Sequence, residues 1–144
     1  MMIIREMLLD DHQSLIELFR TTPGITVREA DSIEDTEKYL ERNPGLNFIA
    51  TDGEEIVGCV MCGHDGRRGY LQHLVVRTDC RNNGLGQKLY TKCIEALSSV
   101  GIEKTHIFVF KTNNLANEFW SKRGWQLRED LNMYSYNASS NSNA

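Results

Sequence analysis

The chain has 144 residues, 40% of them hydrophobic and 25% charged, the balance of one soluble globular domain with a real core rather than a disordered segment. Its formal net charge of −4 and pI near 5.6 argue against a nucleic-acid binder, which carries a basic footprint, although Arg67, Arg68, Arg77 and Arg81 allow a local basic patch. No apolar run approaches the roughly 18 residues of a membrane span. Met1-Met2-Ile3-Ile4-Arg5-Glu6 lacks the basic and apolar regions of a signal peptide, so no membrane partner is expected and the cytoplasm is the expected compartment.

In chain order, Ile3 to Met7 suits a first strand. Asp10 or Asp11 is placed to cap a helix running to Arg20, with Leu15, Leu18 and Phe19 on its apolar face. Ser32-Ile33-Glu34-Asp35 is a capping-box variant that starts a second helix, stopped near Asn43-Pro44-Gly45. Asn47 to Thr51 reads as a strand, Asp52-Gly53 as a hairpin turn and Ile56 to Gly63 as the next strand. Tyr70 to Arg77 is a further strand, apolar on both faces in its second half and therefore central. Gly84 to Val100 reads as a helix with Leu85, Leu89, Cys93, Ala96, Leu97 and Val100 in one stripe. Lys104 to Phe110 suits a strand, and Asn113 or Asn114 caps a helix to about Lys122. Gly124 to Leu127 and Leu131 to Tyr136 are expected as short last strands. The expectation is an α/β fold with a mixed sheet of about six to seven strands and helices on both faces. It fills residues 1–136, and residues 137–144 form a disordered polar tail.

Four cysteines are present, and Cys59-x-x-Cys62 invites a metal or redox reading. The pair lies in a strand, however, where positions i and i+3 face opposite sides. Buried thiols are expected, and no metal.

The informative stretch runs from Leu74 to Leu89: a central strand ends, a turn follows, and Gly84 and Gly86 open a helix. The first N–H groups of a helix have no internal partner and lie at the positive end of its dipole, an anion site. Glycine lets backbone approach a phosphate closely, and Asn82 and Asn83 tolerate left-handed backbone. A phosphate or pyrophosphate ligand follows. A P-loop needs Lys-Ser/Thr after its second glycine, and here Gln87-Lys88 stands there; the dinucleotide fingerprint needs a third glycine where Leu89 stands.

Arg81-Asn82-Asn83-Gly84-Leu85-Gly86 resembles the Q/R-x-x-G-x-G/A loop of the GNAT superfamily of N-acetyltransferases. Asn113-x-x-Ala116-x-x-Phe119-Trp120-x-Lys122-Arg123-Gly124-Trp125 is similar to that family's N-x-x-A-x-x-F-Y-x-K-x-G-F segment. The order of elements matches over almost the whole chain, and the Gly63 to Gly69 turn looks like one found in small bacterial members. The resemblance implies acetyl transfer from acetyl-CoA, as co-substrate, to an amine of a small molecule or a protein by direct attack in a ternary complex. The alternative is an acyl-CoA-binding sensor or regulatory module without catalysis. A homodimer is left open.

In that family the strand before the loop separates from its neighbour. The resemblance therefore places Leu74, Val75 and Val76 along the pantetheine arm, with an N–H near Leu74 facing the thioester oxygen. It puts Arg81, Asn82, Asn83, Gly84, Leu85, Gly86, Gln87 and Lys88 around the pyrophosphate. Asn113 would bond the pantetheine amide region, and Ala116 and Trp120 would flank the thiol end. The family often has Tyr, a proton donor to the leaving thiolate, where Trp120 stands, and an indole N–H cannot serve as an acid. Tyr134, Tyr136 or water is the substitute acid. Some members carry a Glu base where Tyr70 stands; His73 is the titratable candidate on this strand, and strand alternation groups it with Leu71 and Val75.

Overall fold

The computed structural model describes residues 1–144. The chain divides into two compact units, Met1–Ile107 and Phe108–Ala144.

The first unit is a five-stranded sheet in chain order: β1 (Met2–Glu6), β2 (Phe48–Asp52), β3 (Glu55–His64), β4 (Gly69–Val76) and β5 (Thr105–Ile107). The first three pairings are antiparallel and β4–β5 is parallel. Helices α1 (His12–Arg20) and α2 (Ile33–Arg42) precede β2, and α3 (Leu85–Ser99) makes the crossover from β4 to β5.

The hydrophobic pattern divides the sheet between two cores. Leu15, Leu18 and Phe19 of α1 pack with Ile49, Cys59, Met61 and Val75 of the sheet, and Tyr39 and Leu40 of α2 lie against them. On the other face stand Leu89, Cys93 and Leu97 of α3, each fully buried. A Cβ added to Gly58 would come 3.1 Å from Leu89, and one added to Gly69 would come 3.0 Å from Leu97, so α3 lies close on the sheet here. Ala96 and Val100 of the expected stripe are less covered, Val100 being exposed. Cys59 and Cys62 face opposite cores, as strand alternation requires: Cys59 belongs to the α1 side, whereas the Cys62 and Cys93 thiols both donate to the Leu46 carbonyl.

Helix signals are largely as read. Ser32 Oγ accepts the Asp35 N–H at 3.2 Å and starts α2. Gly101, at φ 87°, follows the end of α3. Asp11 behaves otherwise. It precedes α1, but its carboxylate turns back to the Arg5 guanidinium (2.8 and 2.9 Å) and the Leu8 N–H, because an ion pair with β1 outweighs a cap.

The strand count needs correction. Five strands form rather than six to seven: β5 pairs over only three residues, and neither Gly124–Leu127 nor Leu131–Tyr136 is a strand. Short apolar runs without a partner edge do not hold a ladder by themselves. In the second unit, α4 (Asn114–Lys122) is the one helix, capped by Asn113, whose side chain accepts the Ala116 N–H at 3.1 Å.

Leu89→Ala removes a side chain with no exposed surface between α3 and the sheet. It should cost about 2–5 kcal/mol, read as a lower urea midpoint at unchanged slope.

Candidate active site

Strand β4 is bonded along its whole length to β3, but to β5 only over Gly69, Leu71 and Tyr70 between them. From Gln72 to Val76 its other edge has no strand partner. The Arg77 N–H donates to Val57 on β3 at 2.8 Å, so alternation turns the backbone of Val76 and Leu74 toward the open edge. The Val76 carbonyl there accepts Arg81 Nε at 3.0 Å. The resemblance expects strand separation at this place.

The register also slips. Cys59 faces Val75 and Met61 faces Gln72, so His73 and Leu74 together oppose Val60. This is a β-bulge, and His73 sits in it with φ 46°. The bulge overturns the simple alternation. His73 leaves the face of Leu71 and joins Gln72 and Val75 on the side of α1 and α2, where its ring stacks on Phe19 at 4.6 Å.

There it meets a residue the sequence reading missed. His73 Nε2 lies 2.7 Å from Asp31 Oδ1, with the two side chains 20% and 10% exposed. Asp31 closes a one-turn 3-10 helix, Glu29–Asp31, and its other oxygen accepts the Arg28 N–H at 2.8 Å. His12 of α1 donates Nε2 to the Asp31 carbonyl at 2.7 Å, which makes His12 an anchor of that turn. Burial works to raise the Asp31 pKa. The His73 hydrogen bond, the Arg28 N–H and the nearby His73 and His12 outweigh it, and the carboxyl is held below the usual range. An ionised carboxylate only accepts, so Nε2 donates, and Nδ1 is the ring nitrogen outside this bond. No motif spacing links residues 31 and 73; the one available signal was a lone acid just before the Ser32 cap.

Beside this pair a cavity of about 470 Å³ opens between α2 and the strands, with Tyr39, Met61, Gln72 and His73 in its wall. Tyr70 of β4 is half-buried, its ring 5.8 Å from that of His106.

After β4, a 3-10 turn (Thr78–Cys80) leads to the glycine loop. Asn82 (φ 65°) takes the left-handed backbone expected of the asparagines, Asn83 does not, and Gly84 (φ 83°) takes it in its place. Asn83 Oδ1 accepts the Leu85 N–H at 3.4 Å, and Gly84, at the N-cap, takes the Lys88 N–H at 3.1 Å. The Gly86 and Gln87 N–H groups lie in the first turn of α3, ahead of any helical acceptor. Arg77 adds nothing to a basic patch, since Asp79 (2.6 Å) and Glu55 (2.9 Å) hold it. The site therefore offers an anion backbone N–H groups and a helix dipole.

In the second unit Trp120 is 7% exposed, between the rings of Phe119 (5.0 Å) and Trp125 (4.6 Å). The Arg123 guanidinium lies 3.7 Å over Phe119. Ala116 and Asn113 are half-buried, whereas Tyr134 and Tyr136 are 90% and 92% exposed in chain without regular structure.

Residues 12–125 match the family described as Acetyltransferase (GNAT) family. The chain belongs to this family. An acetyltransferase of Pectobacterium atrosepticum is 31% identical over 121 residues, 84% of this chain and 85% of the relative. One of Sodalis glossinidius is 27% identical over 130 residues, 90% and 91% of the two chains. Among solved structures, the PaiA N-acetyltransferase of Thermoplasma acidophilum in complex with coenzyme A superposes with TM-score 0.75 at 20% identity, over 86% of this chain and 89% of that one. AAC(6')-Iy with a CoA bisubstrate analogue superposes with TM-score 0.75 at 18% identity, over 96% and 99%. The two structural likenesses carry the fold; the family and the relatives carry the activity. The protein is an N-acetyltransferase with acetyl-CoA as co-substrate, and the sensor alternative finds no support among these relatives.

Asp31→Asn tests the anchor. A carboxyl with a lowered folded pKa stabilises above its unfolded value, and that contribution is lost as pH falls through the folded one. The variant should be less stable than the parent by about 1.5–3 kcal/mol near pH 7. Urea denaturation repeated at falling pH should show the gap closing below the ordinary carboxylate range.

Proposed function

We propose that the protein acetylates an amine by direct attack within a ternary complex, the cofactor lying along the open edge of β4 and the amine arriving on the α1–α2 face. The observation that carries this reading is the bulge. It puts His73, with its Asp31 anchor, one residue from the Leu74 backbone at the open edge.

The residues present fit coenzyme A. Leu74 and Val76, on either side of Val75, turn their backbone to an edge without a strand partner, suited to the amides of pantetheine. Gly84, Gly86 and Gln87 offer backbone N–H groups at the N-terminus of α3, suited to a pyrophosphate. Arg81 is tied to Val76 and braces the loop against the strand. When bound, acetyl-CoA supplies a thioester carbonyl carbon as the electrophile.

The amine nitrogen forms the new C–N bond, and the C–S bond breaks with its electron pair going to sulfur. The Leu74 N–H stabilises the carbonyl oxygen as charge develops on it. His73 takes the amine proton at Nδ1, directly or through one water, while Asp31 holds the ring and offsets the imidazolium charge. The leaving thiolate would take its proton from water, since the Trp120 indole is no acid, and depart as coenzyme A. Tyr70 lies further along the same strand and is the second candidate for the proton. The cytoplasm is the compartment we assign on the same reading; no helix is long and apolar enough to cross a membrane.

Acetyl-CoA at about 100 times its dissociation constant should stabilise the fold by about 2.7 kcal/mol, a melting shift of several degrees. Gly86→Asp places a carboxylate in the first turn of α3 and should abolish that shift with little change in the unliganded melting point. An unchanged shift in the variant removes the loop from the cofactor site.

His73→Gln should lower kcat about 100-fold or more and leave acetyl-CoA binding within about twofold. The low-pH limb of the rate profile should disappear with it. Full activity with an unchanged pH profile passes the proton to Tyr70 or water.

A further inference from the structure

Cys59 is fully buried in β3, in the core under α1, and its thiol points away from Cys62. Without exposed surface it is poorly placed to act as a nucleophile. What it does have is a hydrogen bond at the bulge.

A bulge leaves one residue out of the ladder. Here His73 and Leu74 are doubled against Val60. The Cys59 thiol donates from β3 to the His73 carbonyl, at 3.3 Å. Cys59 is also the partner of Val75, the regular pair that borders the bulge. The thiol therefore ties the extra residue to the nearest point of unbroken sheet. Burial pushes the thiol pKa up and outweighs the Val75 N–H that bonds the sulfur, so the proton needed for donation stays on sulfur at neutral pH.

The tether acts on a different part of His73 from its other contacts. Phe19, which shares a core cluster with Cys59, stacks on the imidazole at 4.6 Å, and Asp31 takes Nε2 at 2.7 Å. Both hold the ring. The Cys59 bond holds the backbone, which stands at φ 46°. A return of His73 to extended backbone would swing its carbonyl off the thiol and carry the ring away from Asp31. A fixed carbonyl opposes that relaxation and keeps the strained conformation in place.

We propose that Cys59 is a positioning residue for acetyl transfer: its thiol holds the bulge of β4 and thereby sets the His73 imidazole against Asp31. This rests on the reading in which His73 receives the amine proton.

The test uses the full chain with Cys59→Ala, Cys59→Val or Cys59→Ser. Alanine and valine remove the donor at two different volumes, and serine keeps a hydroxyl donor. Coenzyme A release is measured per folded molecule. The His73 Cε1 proton is followed by NMR, identified by its loss in His73→Gln and shifted by the ring current of Phe19. Cys59→Ala and Cys59→Val should each lower kcat about 10-fold, the scale of one buried hydrogen bond, with KM for acetyl-CoA within about twofold. Both should also move the His73 signal toward its unfolded position, and Cys59→Ser should recover most of the rate and of the shift. A rate that follows volume, low in alanine and serine and restored in valine, marks packing alone and overturns the inference. An unmoved His73 signal in both donorless variants overturns it too. If the signal moves while kcat keeps the parent value, Cys59 loses its part in transfer and His73 loses the base role. If His73→Gln loses activity while the Cys59 variants keep it, the base stands and the tether falls.

Discussion

Beyond Leu71, β4 is hydrogen-bonded on one side only, and the site depends on that half-open ladder. Backbone N–H and C=O groups need partners when removed from water. A strand that is central in the sheet at Gly69 and an edge at Val76 keeps those groups available without leaving the core, because β3 and the two helical layers still hold it. Val75 is 2% exposed although the strand has lost a neighbour there. The edge is thus held by the core yet without a strand partner, its Val76 carbonyl taken by Arg81 Nε, a template for the amides of an extended ligand. The short β5 produces this: it pairs with three residues of β4 and goes no further.

The cost of the arrangement is concentrated at His73. A non-glycine residue at φ 46° carries about 1–3 kcal/mol of backbone strain. Contacts that a glycine could not make hold it in place: the stacking on Phe19 and the charge-assisted bond to Asp31, itself secured by Arg28 and His12. Elements far apart in sequence, α1, the 3-10 turn and β4, therefore converge on one imidazole. The same convergence fixes one wall of the cavity, which His73 and Asp31 both line.

The periodic part of this protein was legible in its sequence. The caps at Ser32 and Asn113, the stop at Gly101, the buried faces of α1 and α3 and the opposed cysteines follow from local chemistry, and the structure has them. The backbone of the glycine loop was legible in part: Asn82 is left-handed as an asparagine there allows, whereas the second left-handed residue is Gly84 and not Asn83. Three things were not. The last two strands were read from apolar runs, yet a strand exists only if another edge takes its hydrogen bonds, and periodicity does not carry that. Plain alternation puts His73 with both Leu71 and Val75; the bulge adds one residue to the count, so His73 keeps the face of Val75 and leaves that of Leu71, and the position of a bulge is not written in the alternation. Asp31 was missed for a related reason, since a tertiary pair 42 residues apart leaves no spacing to detect.

The bulge does more than re-aim one side chain. In a regular strand a residue's backbone groups point to one edge while its side chain stands on one face, so a base on the helical face and an amide at the open edge keep a fixed step between them. Doubling two residues against Val60 breaks that step. Leu74 presents its backbone to the open edge, and the adjacent His73 presents its ring to the cavity under α2. On the proposed reading, the cofactor's electrophile and the acceptor's nitrogen would meet at either side of a single peptide unit, one approaching from the edge and the other from the face. A strained residue at this place is then an intelligible expense of stability: relaxing it to a regular strand would restore the ladder, return the imidazole to the side of Leu71 and part the two substrates.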